Sequence, residues 1–177
     1  LGLSDAEGDS VMIAPDRESL RTPRIVRKVY GPCCGTGGML TLAKDAIQGL
    51  NPQADIYLFG QEVNPETYAV CKSDLYMKDP TGRDAESIAR GNTLSDDQHP
   101  QQTFAYQLAN PPYGKDWKMD RRAVEQEANK GYAGRFGAGT PRISDGQLLF
   151  LQHMLSKLPG VAGGDALAAA SSRNEVL

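Results

Sequence analysis

Short hydrophobic runs alternate with helix-like repeats over most of this chain. Residues 25–30 form a β-branched and aromatic run that ends at a Gly-Pro pair, which predicts a first strand, and residues 56–60 predict a second. Between them, apolar residues recur at helical spacing over residues 39–50. Asn64 followed by Pro65 is typical of the start of a second helix. Two weaker strands are predicted over residues 87–90 and 103–109.

The last third of the chain carries one strong helical pattern. Ser144 and Gln147 have the spacing of a capping box and predict a helix that ends before Pro159. Its leucines share one predicted face: Leu148, Leu151, Leu155 and Leu158. Residues 113–142 are rich in glycine and charge and show no clean period. The pattern divides the chain into an irregular segment, a main domain and an Ala/Gly/Ser-rich tail, over residues 1–24, 25–160 and 161–177.

The order of these elements predicts the fold class. Strands that alternate with helices are typical of an α/β fold with a parallel sheet. In such sheets, ligands bind beyond the carboxyl ends of the strands. The most unusual residues of this chain lie at those predicted ends, so we expect its functional site there.

Composition narrows the classes of function. The chain has 177 residues, 40% hydrophobic and 23% charged, which is typical of a globular protein rather than a disordered one. It has no apolar run long enough to span a membrane and no secretory signal pattern at its start. A net charge of -3 argues against a globally basic nucleic-acid binder. Three cysteines and two histidines form no disulfide or zinc pattern, which favours a reduced cytosolic protein without a metal.

A glycine-rich loop follows the first predicted strand. It consists of Gly35, Thr36, Gly37 and Gly38, and its glycines let the backbone turn tightly and approach a ligand. By itself this loop also fits an ordinary tight turn. Glu62 follows the second predicted strand, where an acid can accept hydrogen bonds from both hydroxyls of a ribose, although a solvated loop glutamate is the alternative. Together, the loop and the acid indicate a nucleoside-binding site.

The sharpest motif lies directly after the last predicted strand, at Asn110, Pro111, Pro112 and Tyr113. Its two prolines make the turn rigid. The Asn110 amide oxygen and the Pro111 carbonyl can accept both hydrogens of a ring amino group, which makes its nitrogen a better nucleophile. Tyr113 can stack on that ring. An ordinary Asn-Pro turn is the alternative, but it requires neither the second proline nor the aromatic residue.

Several motifs in this order resemble one known family. The resemblance is carried by Tyr30–Leu40, Phe59–Glu62, Gly91–Leu94, Asn110–Tyr113, Arg135–Gly137 and Ile143–Phe150. These motifs resemble those of the amino-group DNA methyltransferases, and most closely the modification (methyltransferase, M) subunit of type I restriction-modification systems, which methylates adenine N6. The resemblance covers roughly residues 25–160.

The resemblance implies a Rossmann-like, S-adenosylmethionine-dependent methyltransferase fold and a role for each motif. Pro32 and the glycine loop would contact the cofactor near its methionine part. Glu62 would hold the cofactor ribose, and Asn92 would contact its adenine. Residues 110–113 would hold a target adenine that is flipped out of the DNA duplex. The family requires no metal.

The resemblance also implies partners. They are DNA, a specificity subunit and a restriction subunit, in the cytoplasm of a bacterium or an archaeon and without a membrane. The chain departs from the family at Gly31, where an aspartate is usual. The fold is expected to be incomplete, with about four of seven strands. Two alternatives stay open: a catalytically inactive fragment or assembly piece of the modification complex, or an amino-group methyltransferase with another substrate.

Residues 113–142 are locally basic. They hold seven lysines and arginines against four acidic residues. Such a loop beside the Asn110 turn could follow DNA phosphates, with Trp117 or Tyr132 available for stacking. A solvated loop is the alternative.

Overall fold

The computed structural model describes residues 11–14, 20–112 and 114–160. Over these residues the chain forms five strands and five α-helices. In chain order they are β1 (Val11–Ile13), β2 (Val26–Gly31), α1 (Gly38–Leu50), β3 (Asp55–Glu62), α2 (Pro65–Lys78), α3 (Arg83–Glu86), β4 (Ile88–Arg90), β5 (Tyr106–Ala109), α4 (Arg121–Ala128) and α5 (Gln147–Ser156). Over the same residues, no helix is long and apolar enough to cross a membrane.

The strands form one sheet in the order β1-β5-β2-β3-β4. β2 pairs in parallel with β3 on one side and with β5 on the other, and β3 pairs in parallel with β4. From β2 the chain moves outward to β3 and β4, and then returns to β5 across β2. The strand order therefore reverses between β2 and β5, and such a reversal is where open α/β sheets bind ligands.

The predicted helices over residues 39–50 and after Asn64 are confirmed. α1 follows Gly37, whose φ of 83° lies in the left-handed region that favours glycine. α2 follows Asn64, whose side-chain oxygen accepts hydrogen bonds from Glu66 N and Thr67 N at 2.9 and 3.0 Å. The four predicted strands are confirmed as β2 to β5, with shifted boundaries.

β1 is where the sheet differs from the prediction. The sequence indicated an irregular segment over residues 1–24, yet Val11–Ile13 form a strand that pairs antiparallel with β5. The sheet is therefore mixed and has five strands over the described residues, rather than four parallel strands. A strand this short is stabilised by its pairing with a distant segment, so its own residues carry little pattern. The tail over residues 161–177 lies outside the described residues.

α4 lies in the segment for which no regular element was predicted. Its only buried residue is Val124, which explains why no helical period was visible. A second hydrophobic core holds this segment in place: Trp117, Val124 and Phe136 pack with the buried side of α5. Because these apolar residues are far apart along the chain, they form no periodic pattern in the sequence and meet only in the folded structure.

α5 confirms the last predicted helix, and Leu155 of its predicted face is buried, but the start of the helix and the exposure of Leu148 differ from the prediction. Gly146 is its N-cap and no side chain caps it, so the predicted capping box at Ser144 is wrong. Ser144 lies instead in a turn closed by the 2.9 Å bond from Asp145 N to Arg142 O. Leu148, predicted to be on the packed face, is 45% exposed. The buried residues of this helix are Leu149, Phe150, Gln152, His153, Met154 and Leu155.

Helices cover both faces of β2. Val29 belongs to the core that includes Leu40 and Ile47 of α1. Tyr30 comes next along the strand and therefore points to the opposite face. There, its hydroxyl lies 3.0 Å from Nε2 of His153 in α5. A sheet with helices on both faces confirms the predicted α/β class.

Candidate functional site

The predicted site residues follow the carboxyl ends of four parallel strands. The glycine loop follows β2, Glu62 ends β3, Asn92 follows β4 and the Asn110 turn follows β5. The loops after β2 and β4 contact each other, because the Thr93 hydroxyl donates a hydrogen bond to the Pro32 carbonyl. The fold thus brings these residues to one edge of the sheet, beside the reversal between β2 and β5.

The glycine loop is tightly packed at one residue and open at others. Gly35 and Gly37 have φ values of 57° and 83°, in the region that favours glycine. A Cβ built on Gly37 would lie 2.7 Å from Cys71 Sγ of α2, so packing requires a glycine there. A Cβ on Gly35 or Gly38 would meet no atom within 4 Å, and Thr36 is exposed. This part of the loop therefore has room for a ligand.

Glu62 connects the glycine loop to the start of α2. Its Oε2 accepts a hydrogen bond from Gly35 N at 3.0 Å, and its Oε1 accepts one from Asn64 N at 2.8 Å. The side chain is half-buried. Each carboxylate oxygen accepts two hydrogen bonds at full capacity. The carboxylate can therefore accept further hydrogen bonds from two hydroxyl groups without releasing the loop.

Asn92 opens the loop after β4, and both ends of its amide are held. Its Nδ2 donates to Asp120 Oδ1 at 2.8 Å, and its Oδ1 accepts from Leu94 N at 3.1 Å. The side chain is half-buried. One amide hydrogen and one oxygen lone pair remain available for a ligand.

The Asn110 turn lies against the loop after β2. The backbone N–H of Asn110 points at the sulfur of Cys33. Asn110 and Pro112 are exposed, whereas Pro111 is buried. Tyr113 lies outside the described residues. The structure therefore leaves the Asn110 side chain accessible at the point where the two motifs meet.

Cys33 is the thiol that the backbone N–H of Asn110 faces. Burial raises the pKa of Cys33 to about 12. Since the thiolate is the reactive form of cysteine, this thiol is not a nucleophile at neutral pH. Across residues 11–14, 20–112 and 114–160, no group of three or more histidine, cysteine or acidic residues is placed to hold a metal ion.

Only one of the two predicted stacking residues is exposed in the basic segment. Trp117 is 3% exposed and its indole N–H donates to the Arg142 carbonyl at 2.9 Å, so it cannot stack on a base. Tyr132 is 69% exposed. The exposed cations of the segment are Lys115, Lys118, Arg121, Arg122, Lys130 and Arg142.

Two residues that hold the site were missed by the sequence analysis, Asp120 and Arg135. Asp120 accepts the hydrogen bond from Asn92, and Arg135 donates to the carbonyls of Thr93 and Leu94 at 2.7 and 3.1 Å. The motif Arg135–Gly137 contributed to the family resemblance, but no role was predicted for Arg135. Nothing near Asp120 in the sequence pointed to a partner on another loop.

A family profile and a curated relative match this chain in sequence. The profile of the family described as N-6 DNA Methylase matches residues 17–167. The type I restriction enzyme MjaIX methylase subunit of Methanocaldococcus jannaschii is 22% identical over 156 residues. That match covers 84% of this chain and 27% of the relative.

Two solved structures share the fold. The type I restriction-modification system methyltransferase subunit from Streptococcus thermophilus matches 78% of this chain and 28% of its own, with a TM-score of 0.59 and 22% identity. A structure described as a putative class I S-adenosylmethionine-dependent methyltransferase from Listeria monocytogenes matches 80% and 39%, with a TM-score of 0.52 and 14% identity. These likenesses confirm the predicted methyltransferase fold. The chain spans between 27% and 39% of the length of these relatives.

Proposed function

The chain belongs to the N-6 DNA Methylase family, and we propose that it carries the cofactor and target-base sites of an adenine-N6 DNA methyltransferase. In the proposed reaction, a methyl group moves from the sulfonium sulfur of S-adenosylmethionine to the exocyclic nitrogen of adenine, and that nitrogen loses a proton. The observation that carries the proposal is the contact between Asn110 and the loop after β2. A methyl donor on that loop and a base at Asn110 would be neighbours.

The residues around the glycine loop fit S-adenosylmethionine. The open space at Gly35 and Gly38 provides room for its methionine part beside Pro32 and Thr36. The spare lone pairs of Glu62 suit the two ribose hydroxyls. The Asn92 amide offers one donor and one acceptor to the adenine ring. When bound, the cofactor would supply the electrophilic methyl group.

Asn110 and the prolines after it fit a ring amino group. The amide oxygen of the exposed residue Asn110 and the Pro111 carbonyl would accept its two hydrogens, with Pro112 keeping the turn rigid. Both acceptors draw the nitrogen lone pair out of the ring, so that the nitrogen can attack the methyl group. Tyr113 would stack on the base, which must leave the duplex to reach this site.

DNA and two other subunits are the proposed partners. The type I names of two relatives support a specificity subunit that reads the DNA sequence and a restriction subunit in the same complex. Within the basic segment, the exposed cations support contact with DNA phosphates. Tyr132 is the exposed aromatic residue there that could stack on a base.

Methyl transfer and cofactor binding test this function separately. We expect the full chain to bind S-adenosylmethionine in calorimetric titration, and to transfer labelled methyl groups to unmethylated DNA when a specificity subunit is present. Asn110→Ala should lower transfer by about a hundredfold or more, because it removes an acceptor for the amino group. Its cofactor affinity should stay unchanged, because Asn110 serves the base.

Asn129→Ala is the matched control, since Asn129 is an exposed asparagine at the end of α4. It should keep both activities. Transfer that persists in Asn110→Ala would refute the assignment of the turn. No binding at millimolar cofactor would favour the inactive assembly piece, and methylation of a substrate other than DNA adenine would favour the other amino-group methyltransferase.

A further inference from the structure

Asp120 gives the Asn92 amide a single orientation. A carboxylate only accepts hydrogen bonds, so the amide atom at 2.8 Å from Asp120 Oδ1 must be the nitrogen. A backbone N–H only donates, so the amide atom at 3.1 Å from Leu94 N must be the oxygen. A flipped amide would place oxygen against the carboxylate and nitrogen against the N–H. Both contacts therefore oppose the flip.

The loop that carries this amide is itself held by charged side chains. Asp120 also accepts a hydrogen bond from Ser95 Oγ at 2.7 Å. Arg135 donates to the carbonyls of Thr93 and Leu94, which keeps the Leu94 N–H in place behind the amide. Thus Asn92 and the three residues after it are each bonded to Asp120 or Arg135, which lie on the segment between β5 and α5.

A fixed amide can distinguish adenine from hypoxanthine. Its spare oxygen lone pair matches the amino group of adenine, and its spare hydrogen matches a ring nitrogen next to that group. In hypoxanthine a carbonyl oxygen replaces the amino group. A freely turning amide would flip and donate to that carbonyl, whereas a fixed amide would meet it oxygen against oxygen.

We propose that Asp120 is a positioning residue that makes the cofactor site selective for adenine, by preventing the Asn92 amide from flipping. This inference rests on the proposed function, because it requires that Asn92 contacts the cofactor base. In this proposal Asp120 acts through its hydrogen bond with Asn92 rather than on the cofactor. Its effect is on the choice between two bases more than on affinity for either one.

The test compares two ligands that differ only in the base. Calorimetric titration of the full chain with S-adenosylhomocysteine and with S-inosylhomocysteine measures the preference for adenine. Asp120→Asn is nearly isosteric, and its amide can donate to a flipped Asn92 oxygen. The preference should fall about tenfold, the lower end of what a hydrogen bond to a charged group contributes.

Glu125→Gln is the matched control, because this acidic residue of α4 pairs with Arg121 on the surface and does not contact Asn92. It should keep the wild-type preference. An Asp120→Asn variant that weakens both ligands equally would overturn the inference, since general loosening leaves the ratio unchanged. Wild-type protein that binds both ligands equally would also overturn it, although the proposed function would stand. Wild-type protein that binds neither ligand would refute the proposed function itself.

Discussion

Gly37 and Gly38 are adjacent in the chain but should respond in opposite ways to alanine. At Gly37, the φ of 83° costs a side chain about 1–2 kcal/mol. The added Cβ would also lie 2.7 Å from the sulfur of Cys71, a fully buried residue, and such overpacking costs about 1–3 kcal/mol. Together, these two costs should lower the free energy of unfolding of Gly37→Ala by about 2–5 kcal/mol.

Gly38 is the first residue of α1, and its Cβ would meet no atom within 4 Å. Gly38→Ala should therefore raise the free energy of unfolding by up to about 1 kcal/mol, because alanine loses less backbone entropy in a helix. The same methyl group would occupy the space proposed for the cofactor. In this variant, the binding of S-adenosylmethionine should weaken although the free energy of unfolding does not fall.

Urea unfolding followed by circular dichroism separates the two costs at Gly37. In a Cys71→Ala background the sulfur is gone, so Gly37→Ala should cost only the backbone term of about 1–2 kcal/mol. The difference from the wild-type background measures the clash. If Gly37→Ala lies within about 1 kcal/mol of wild type, or costs the same in both backgrounds, the packing argument is wrong.

Two further changes probe the buried polar groups. Burial and the Arg135 charge lower the pKa of His153 to about 3. The unfolded state takes up its proton near pH 6.5, so stability should fall by about 2 kcal/mol between pH 7 and pH 5 in urea unfolding, and His153→Gln should lack that loss. An equal pH dependence in both proteins would contradict this. Lys157 and Asp97 form an ion pair at 2.5 Å, with side chains 6% and 12% exposed. In thermal unfolding, Lys157→Met should lower the free energy of unfolding by about 3 kcal/mol. Arg121→Met should lower it by less than about 1 kcal/mol, because the ion pair of Arg121 with Glu125 is exposed. Similar losses in the two variants would refute the burial argument.

Local chemistry made much of the fold predictable from sequence. The Asn64 cap and the strand of residues 55–62 each depend on a few neighbouring residues, and the structure has both. β1 and α4 were missed because pairing and packing with distant residues stabilise them. The capping box at Ser144 failed for a related reason: the turn before α5 uses that residue differently.

The candidate site divides in the same way. Motifs with their own backbone requirements, such as the glycine loop and the Asn110 turn, were visible in the sequence. Whether they perform the proposed roles stays a prediction. Asp120 and Arg135 act through a loop more than 20 residues away in the chain, as the separations of 28 and 41 residues in their hydrogen bonds show. Sequence spacing does not encode that kind of contact.

The edge of the sheet and the segment after β5 make different contributions to this site. The glycine loop, Glu62 and Asn110 are placed by β2, β3 and β5, which are neighbours in the sheet that the described residues form. The orientation of Asn92 depends instead on Asp120 and Arg135, whose positions depend on the second core around Trp117 and Phe136. Substitutions that destabilise that core should therefore disturb the adenine end of the proposed cofactor site more than the glycine loop, because the two ends are held by different parts of the fold.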